Sequence, residues 1–392
     1  MPSLHVAHWS LAEDVIFLNH GSFGACPSLV LATQQELRSR MERQPVRFLQ
    51  RDLEPLLDAA REQLAVFLQA NPRHLAFVAN ATSGVNAVVR SLDFQPGDEI
   101  LTTDHDYNAS RNVLLEAARR TGARVVVAPV PFPIAGEEQI IDAILAFTNT
   151  RTRLVLIDHI TSPTALVFPI AKIVHLLDER GIDCLVDGAH APGSVPLDLE
   201  SLRPAYYTGN LHKWVCAPKG AAFLYVREDR QTLIRPAILS HGENVRRPER
   251  AHFHDRFDWP GTFDPTAWLS VPAALEFCAA LHPGGWPALY AHNRNLAATA
   301  RQLLAASLDV PLPAPDDLLA AMATIPLPER HQRVPLTADR IDPLQTRLLE
   351  THRIEVPLIR WGSPVRRYVR ISAQAYNSLD DYRALSAALS GS

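Results

Sequence analysis

The sequence has few cysteines, no long apolar run and no recognisable leader. Its four cysteines are scattered without C-x-x-C spacing, which favours reduced thiols over a disulfide framework or a zinc site, so no metal centre is predicted. No apolar run approaches the ~18 residues of a membrane span. The first residues lack the basic and apolar regions of a secretory signal. We therefore predict a cytoplasmic protein that does not enter a membrane.

Other absences restrict the ligands. The formal net charge of −4 gives no reason to expect nucleic acid or an anionic membrane as a partner. Neither G-x-G-x-x-G nor G-x-x-x-x-G-K-[ST] occurs, which argues against a nicotinamide dinucleotide or a nucleoside triphosphate. We find no internal repeat and no low-complexity tract. A nucleotide-binding α/β protein is thus poorly supported, and no nucleic-acid partner is predicted.

The pattern of apolar runs predicts an α/β fold. A chain of 392 residues is too long for one ordinary core, so two domains are expected. Helical patterns at 85–92, 110–121, 137–147 and 169–180 separate short apolar runs, which predicts a mostly parallel sheet with helices on both faces. The seven predicted strands are 75–79, 100–102, 125–127, 154–157, 184–186, 205–207 and 221–226. We predict an arm at 1–28, a large domain at 29–265 and a small α+β domain at 266–392.

A carboxylate and a lysine follow two of the predicted strands. Asp187 ends the run 184–186, and Lys213 comes shortly after the run 205–207. Parallel sheets bind ligands beyond the carboxyl ends of their strands. Pyridoxal 5'-phosphate (PLP) requires such a pair, because a lysine holds its aldehyde as a Schiff base and a carboxylate keeps its pyridine nitrogen protonated. If the pair stood alone, Lys213 would be interpreted as a solvated lysine and Asp187 as a turn residue. The motifs around the pair are therefore needed to distinguish a PLP site from two unrelated residues.

Several motifs surround this pair along nearly the whole chain. They are D-x-x-H at 187–190, N-x-H-K-W at 210–214, A-P-K-G at 217–220, FLNHGSFGACP at 17–27, QPVRFLQRDLEPLLDAAR at 44–61, NATSGVNAV at 80–88, DHDYNA at 104–109 and VRISAQAYNSLDDY at 369–382. Together they resemble the class V aminotransferases, which are fold-type I PLP-dependent enzymes. Within that family they resemble the isopenicillin N epimerase-like branch.

The resemblance implies contacts to the cofactor ring. Lys213 would bind the cofactor covalently, Asp187 would pair with the pyridine nitrogen, and His190 would contact the 3' oxygen. Either His105 or Tyr107 would stack on the ring face opposite Lys213, and the spacing D-H-x-Y favours Tyr107. Without the resemblance, His105 and Tyr107 would be interpreted as core residues.

The resemblance also implies a phosphate site. Ala81 and Thr82 open a predicted helix after a strand, where free N–H groups and the helix dipole favour an anion. Asn210 and His212 would add donors. Thr262 matches a position that reaches the phosphate of the neighbouring subunit, which implies a homodimer with shared active sites. Taken alone, Thr82 would be interpreted as an ordinary helix cap.

Substrate-binding residues are expected at both ends of the chain. The resemblance implies that Arg370 binds the α-carboxylate of an amino-acid-like substrate, a role that its planar guanidinium suits better than an ammonium would. Arg47 is a candidate for a second anionic group of the substrate, with a surface ion pair as the alternative. Asn19 and His20 are expected to border the pocket.

The stretch 354–370, IEVPLIRWGSPVRRYVR, contains no cysteine. Cysteine desulfurases of the family carry a catalytic cysteine ahead of the carboxylate-binding arginine, so their persulfide route is disfavoured. The resemblance implies abstraction of the α-proton by Lys213 and epimerisation, with C–S lyase or aminotransferase activity as the alternatives. A non-catalytic PLP-binding regulator is the alternative of another class. The joint presence of Lys213, Asp187 and Arg370 argues against it.

Overall fold

The computed structural model describes residues 3–332 and 341–391. Its strands are β1 Ile16–Phe17, β2 Leu75–Val78, β3 Glu99–Thr103, β4 Arg124–Ala128, β5 Thr152–Asp158, β6 Asp183–Asp187, β7 Tyr206–Asn210, β8 Ala222–Val226, β9 Met322–Pro326, β10 Ile354–Glu355, β11 Leu358–Trp361 and β12 Arg366–Ser372. Its helices are α1 His20–Phe23, α2 Ser28–Arg43, α3 Pro45–Arg47, α4 Leu53–Leu68, α5 Ala81–Ser91, α6 Asn108–Thr121, α7 Glu137–Leu145, α8 Ile170–Asp178, α9 Leu199–Leu202, α10 His252–Phe257, α11 Thr266–Leu269, α12 Val271–Ala280, α13 Gly285–Leu308, α14 Glu329–Gln332, α15 Pro343–His352 and α16 Leu379–Ser390.

The central sheet has seven strands in the order β2-β8-β7-β6-β5-β3-β4. β8 runs antiparallel to both of its neighbours, and the other pairings of the sheet are parallel. Every residue of β2, β3, β7 and β8 is buried, as expected for strands covered on both faces. All seven predicted strands and the mostly parallel arrangement are confirmed.

Helices cover both faces of this sheet. Successive strand residues point to opposite faces, so Val155 and Ile157 join the core on the side of α4, α8 and α12. Leu154 and Leu156 join the core on the side of α5 and α6. The same alternation assigns Leu185 to the α5/α6 side and Val186 to the other side. A polar residue at a strand end therefore faces a predictable layer.

A second, antiparallel sheet of three strands has the order β11-β12-β9. Its apolar core includes residues of α13 and α16 together with Leu18 of the N-terminal segment. The predicted arm at 1–28 contributes one short strand, because β1 pairs in parallel with β10. Leu18 donates its backbone N–H to Glu355 O at 2.9 Å and accepts from Ser372 N at 3.0 Å. The domain boundaries at 28 and 265 remain predictions.

Across the described ranges, none of the helices combines the length and the apolar composition that crossing a membrane requires.

Candidate active site

Lys213 lies just beyond β7, held against the N-terminal segment. His20 bonds through Nε2 to the Lys213 carbonyl oxygen at 2.9 Å and through Nδ1 to the Tyr376 hydroxyl at 2.8 Å. Gly24 has a φ of +71°, and a Cβ added there would lie 1.9 Å from the His212 carbonyl oxygen and 2.9 Å from the Lys213 Cα. Only glycine fits this close approach. The motif at 17–27 thus positions the backbone of the lysine.

The Lys213 side chain is half-buried, and its amine lies 3.2 Å from His190 Nε2. Burial lowers the pKa of Lys213 to about 7, and the nearby charge of Arg370 contributes to the shift. An ammonium loses stability when it leaves water, so burial favours the neutral amine. Burial also holds the pKa of His190 well below its usual range. A large fraction of Lys213 is therefore a free base near neutral pH, able to attack an aldehyde or accept a proton.

Asp187 ends β6 on the α5/α6 side of the sheet. Its Oδ2 accepts a hydrogen bond from Ser110 Oγ at 2.9 Å, and its Oδ1 accepts one from the Ala189 N–H at 3.1 Å. Burial raises the pKa of Asp187 despite these donors. No Lys, Arg or His forms an ion pair with it among the described residues. A carboxylate in this setting is stabilised by a cationic ligand.

The N-terminus of α5 lies beside the end of β7. Asn80 caps this helix by accepting from Ser83 N at 2.8 Å, so Thr82 is not the cap residue. Asn210 Oδ1 accepts from Ala81 N at 2.8 Å, which leaves the amide NH₂ of Asn210 as a donor. In the described part of the chain, no acceptor is found for the Thr82 N–H. A helix N-terminus with donors left over suits an anion.

His212 lies beside this helix end. Its Nδ1 is 3.2 Å from the Ala221 carbonyl oxygen, so Nδ1 carries a hydrogen and donates. Burial and the Lys213 charge lower the pKa of His212 to about 4. An anion bound next to it would raise that pKa, which would allow Nε2 to donate as well.

Arg370, on β12, is a buried arginine without a carboxylate partner in the described chain. Its Nη1 donates to Ser162 O at 2.5 Å and to Ser162 Oγ at 3.0 Å, and its Nη2 donates to Ser22 Oγ at 3.0 Å. Its Nε is buried and has no hydrogen-bond partner. Burial lowers the pKa of Arg370 to about 10, and the Tyr107 hydroxyl counteracts part of that shift. The charge of Arg370 is therefore not neutralised by a carboxylate of the described chain and could bind an anionic ligand.

His105 and Tyr107 have very different environments. His105 is 0% exposed, with Nδ1 2.7 Å from Thr164 Oγ1 and Nε2 3.0 Å from Val130 O. Its ring packs against Trp361 at a centroid distance of 4.5 Å. Tyr107 precedes α6 and is 48% exposed. Only Tyr107 has an accessible ring, so it is the better placed of the two to stack on a ligand.

The other predicted residues divide into two groups. Asn19 is buried, accepts from Ser22 Oγ at 2.5 Å and donates to Glu355 Oε1 at 3.0 Å, so it reaches the Arg370 cluster through Ser22. Both ring nitrogens of His20 are engaged, as described above. Arg47 is exposed and lies 3.8 Å from Asp52, and Thr262 is exposed as well. No contact joins Arg47 or Thr262 to Lys213 within the described protomer.

Four residues around the site were not expected from the sequence. Asp158 ends β5 beside Asp187, and its position directly after the predicted strand 154–157 was a signal that could have identified it. Ser110, Ser162 and Ser22 donate to or accept from the charged groups named above. Serines carry no comparable sequence signal, because their partners come from distant parts of the chain.

The set of unsatisfied groups fits PLP. A free amine suits an aldehyde, a buried carboxylate suits a protonated ring nitrogen, and the α5 N-terminus suits a phosphate. His190 Nδ1 and Arg370 Nε are both buried without a protein partner. The fold and these groups define the class of fold-type I PLP-dependent enzymes.

Comparison with known proteins supports the assignment to PLP-dependent enzymes. Residues 16–385 match the model of the family Aminotransferase class-V, so the chain belongs to that family and is a PLP-dependent enzyme. It is 35% identical over 394 residues to an isopenicillin N epimerase of Amycolatopsis lactamdurans, covering 97% of this chain and 96% of the relative. A probable chloroplastic L-cysteine desulfhydrase of Arabidopsis thaliana is 32% identical, covering 96% of this chain and 83% of the relative.

A solved structure shares the fold. The complex between the cystine C-S lyase C-DES and its reaction product cysteine persulfide has a TM-score of 0.78 and 23% sequence identity, covering 96% of this chain and 98% of that one. The fold-type I assignment is confirmed.

Proposed function

We propose that this enzyme abstracts the α-proton of an amino-acid-like substrate and that the outcome is epimerisation, as in the isopenicillin N epimerases. The observation that carries the proposal is the pairing of a free-base Lys213 with the uncompensated guanidinium of Arg370. The first removes a proton, and the second binds the substrate α-carboxylate. PLP, when bound, supplies an electron-withdrawing ring that stabilises negative charge at the α-carbon.

The residues around Lys213 and Arg370 have separate tasks in this proposal. When PLP is bound, Asp187 would keep its ring nitrogen protonated, and the buried ring of His190 would contact its 3' oxygen. The N–H groups at Ala81 and Thr82, with donors from Asn210 and His212, bind the phosphate. Asn19 holds Ser22, which in turn orients Arg370. His20 fixes the backbone of Lys213 and so determines where its amine can reach.

Epimerisation needs a proton delivered to the face opposite Lys213. We assign this task to Tyr107, because its ring is accessible and its side chain lies near enough to Arg370 to influence the pKa of that arginine. His105 is buried and both of its ring nitrogens are hydrogen-bonded to the protein, so it is a packing residue beside the site and is not assigned as an acid. Tyr107 therefore serves as the stacking residue and as the second acid.

C–S elimination is the second candidate. It is favoured by the 32% identical L-cysteine desulfhydrase relative, and it uses the same first step. Elimination returns no proton to the α-carbon, so it makes no use of a second acid. The stretch 354–370 contains no cysteine, which disfavours a desulfurase-type persulfide route whether the enzyme epimerises or eliminates.

We further propose a homodimer in the cytoplasm. Thr262 is exposed in one protomer, which suits a residue that reaches a partner subunit's site. Arg47 is exposed as well and stays our candidate for a second anionic group of the substrate. All four cysteines are free, which suits a reducing compartment. A monomer that binds PLP at working concentration in light scattering would contradict the dimer.

The deciding experiment is a panel of L- and D-amino acids and cysteine conjugates in deuterated water. Epimerisation predicts inverted amino acid with deuterium at the α-carbon, whereas elimination predicts pyruvate and ammonia. Tyr107→Phe keeps the ring and removes the hydroxyl, so it should slow inversion by about 10²-fold or more while sparing α-proton exchange. Tyr290→Phe, on α13, is the matched control. Equal losses in exchange and inversion would contradict the role of Tyr107.

A further inference from the structure

Two carboxyl groups lie side by side at the carboxyl-terminal edge of the central sheet. β5 and β6 are parallel neighbours, and their register pairs Asp158 with Asp187. Asp158 follows Leu156 by two residues and Asp187 follows Leu185 by two, so both side chains lie on the α5/α6 face. Neighbouring strands of a sheet lie about 4.7–4.9 Å apart, so side chains on the same face at paired positions are direct neighbours. The fold therefore forces the two groups together.

Asp158 has no charge partner. It is 3% exposed, and its Oδ2 is buried without a hydrogen bond. No ion pair to it exists within residues 3–332 and 341–391. The titratable groups that act on it are Asp187 on β6, Asp106 in the turn after β3 and Lys213 after β7. Asp106 is itself held by Arg111 at 2.6 Å, so the arginine's charge is already matched.

Only one of the two carboxyl groups can ionise at low cost, because like charges repel strongly in a dry site. The hydrogen bonds decide which one. Asp187 accepts from Ser110 and from the Ala189 N–H, and both donors stabilise its anion. Asp158 lacks a donor on Oδ2. Burial and the charge of Asp187 raise the pKa of Asp158 well above its ordinary value.

We propose that Asp158 is a positioning residue that keeps its proton, so that the single negative charge of the pair stays on Asp187. This rests on the proposed role of Asp187 as the partner of the cofactor nitrogen. A neutral Asp158 fills the space beside Asp187 without competing for the positive charge. Ionisation of Asp158 at alkaline pH would place a second negative charge beside Asp187 and Lys213.

Infrared spectroscopy of the PLP-loaded protein tests the protonation state directly. The difference spectrum of wild type minus Asp158→Asn should contain the C=O stretch of a protonated carboxylic acid, and that band should shift in deuterated water. It should also be present at neutral pH and disappear as the pH is raised. Carboxylate bands in its place at neutral pH would overturn the proposal. If Asp158→Asn does not fold, Asp158→Glu serves, since a glutamic acid moves the same band.

Cofactor affinity and visible absorption provide a second readout. Asn is a neutral isostere of a protonated aspartic acid, so Asp158→Asn should change the PLP dissociation constant less than ~3-fold and remove an alkaline step from the absorption titration. Asp187→Asn should weaken PLP binding by at least ~30-fold. Equal losses in both variants would overturn the proposal. An Asp187→Asn protein with wild-type affinity and spectrum would instead overturn the proposed role of Asp187, while the infrared result for Asp158 would stand.

Discussion

Arg61 and Arg370 are both buried arginines, and they are held in opposite ways. Arg61, on α4, lies 2.5 Å from Asp58 and 2.6 Å from Asp258. Arg250 bridges the same two carboxylates, 2.7 Å from Asp58 and in contact with Asp258. We call these four residues the arginine–aspartate network. Arg370 has only serine oxygens as partners in the described chain.

The carboxyl groups of the two regions differ in the same way. Burial alone would raise the pKa of Asp58, but the hydrogen bonds and charges of Arg250 and Arg61 outweigh it and lower that pKa. Burial raises the pKa of Asp187 and of Asp158, because no arginine or lysine is paired with them. Charges that are ion-paired within the protein stabilise the fold. Buried charges without such a partner indicate where a charged ligand can bind.

The largest expected effect is at Lys213. Lys213→Ala removes both the covalent attachment point and the base, so α-proton exchange should fall by at least ~10³-fold. The chain has three lysines, and Lys172 is an exposed one that pairs with Glu137 at 2.8 Å. Lys172→Ala is therefore the control, and it should exchange at the wild-type rate. Peptide mapping after borohydride reduction should find the cofactor on Lys213 and on neither of the others.

The next effect tests the network. Arg61→Met leaves two aspartates facing one arginine, and breaking a buried ion pair costs about 3–5 kcal/mol. The free energy of unfolding, measured in urea on the cofactor-free protein, should fall by that amount. Arg370→Met is the matched substitution at the site and should change it by less than ~1 kcal/mol, because removing a buried charge that has no carboxylate partner offsets the hydrogen bonds lost to Ser162 and Ser22. If both variants lost a similar unfolding free energy, the proposed difference between the arginine–aspartate network and the Arg370 site would be contradicted.

The same Arg370→Met protein tests whether Arg370 binds the substrate carboxylate. Amino-acid binding should weaken by about 2–5 kcal/mol, the cost of truncating one partner of a buried charged pair, while PLP stays bound. Spectral titration with the substrate found in the panel measures the loss. Arg366→Met, exposed and paired with Glu329, should bind the substrate normally. Loss of PLP with substrate affinity retained would contradict the assigned role.

The last prediction concerns the pH dependence of stability. The pKa of Lys213 is about 7 in the folded state and near its ordinary value in the unfolded chain. Between these values the unfolded state binds the extra proton, so stability rises with pH through this window. Lys213→Met removes the group. The difference in unfolding free energy between variant and wild type should thus shrink as the pH rises from about 7. A constant difference would mean that burial does not shift this lysine.

The sequence by itself determined the seven-stranded sheet and the residues at its edge. Apolar runs and helical spacing are local signals, and parallel strands place their carboxyl ends along one edge. Asp187, Lys213, Asn210 and the start of α5 could therefore be assigned to one site from the sequence alone. Arg370 was assigned through a motif, which identified the residue and not its surroundings.

Only the tertiary structure decided how the charges of the site are matched. Ser162 and Ser22 lie 208 and 348 residues from Arg370 in sequence, and no local pattern marks them as its partners. The pairing of Asp158 with Asp187 follows from the strand order, and the burial of His105 follows from its packing against Trp361 on β11. Protonation depends on which groups surround a side chain after folding. Sequence patterns locate the ionisable residues, and the long-range contacts set their charge.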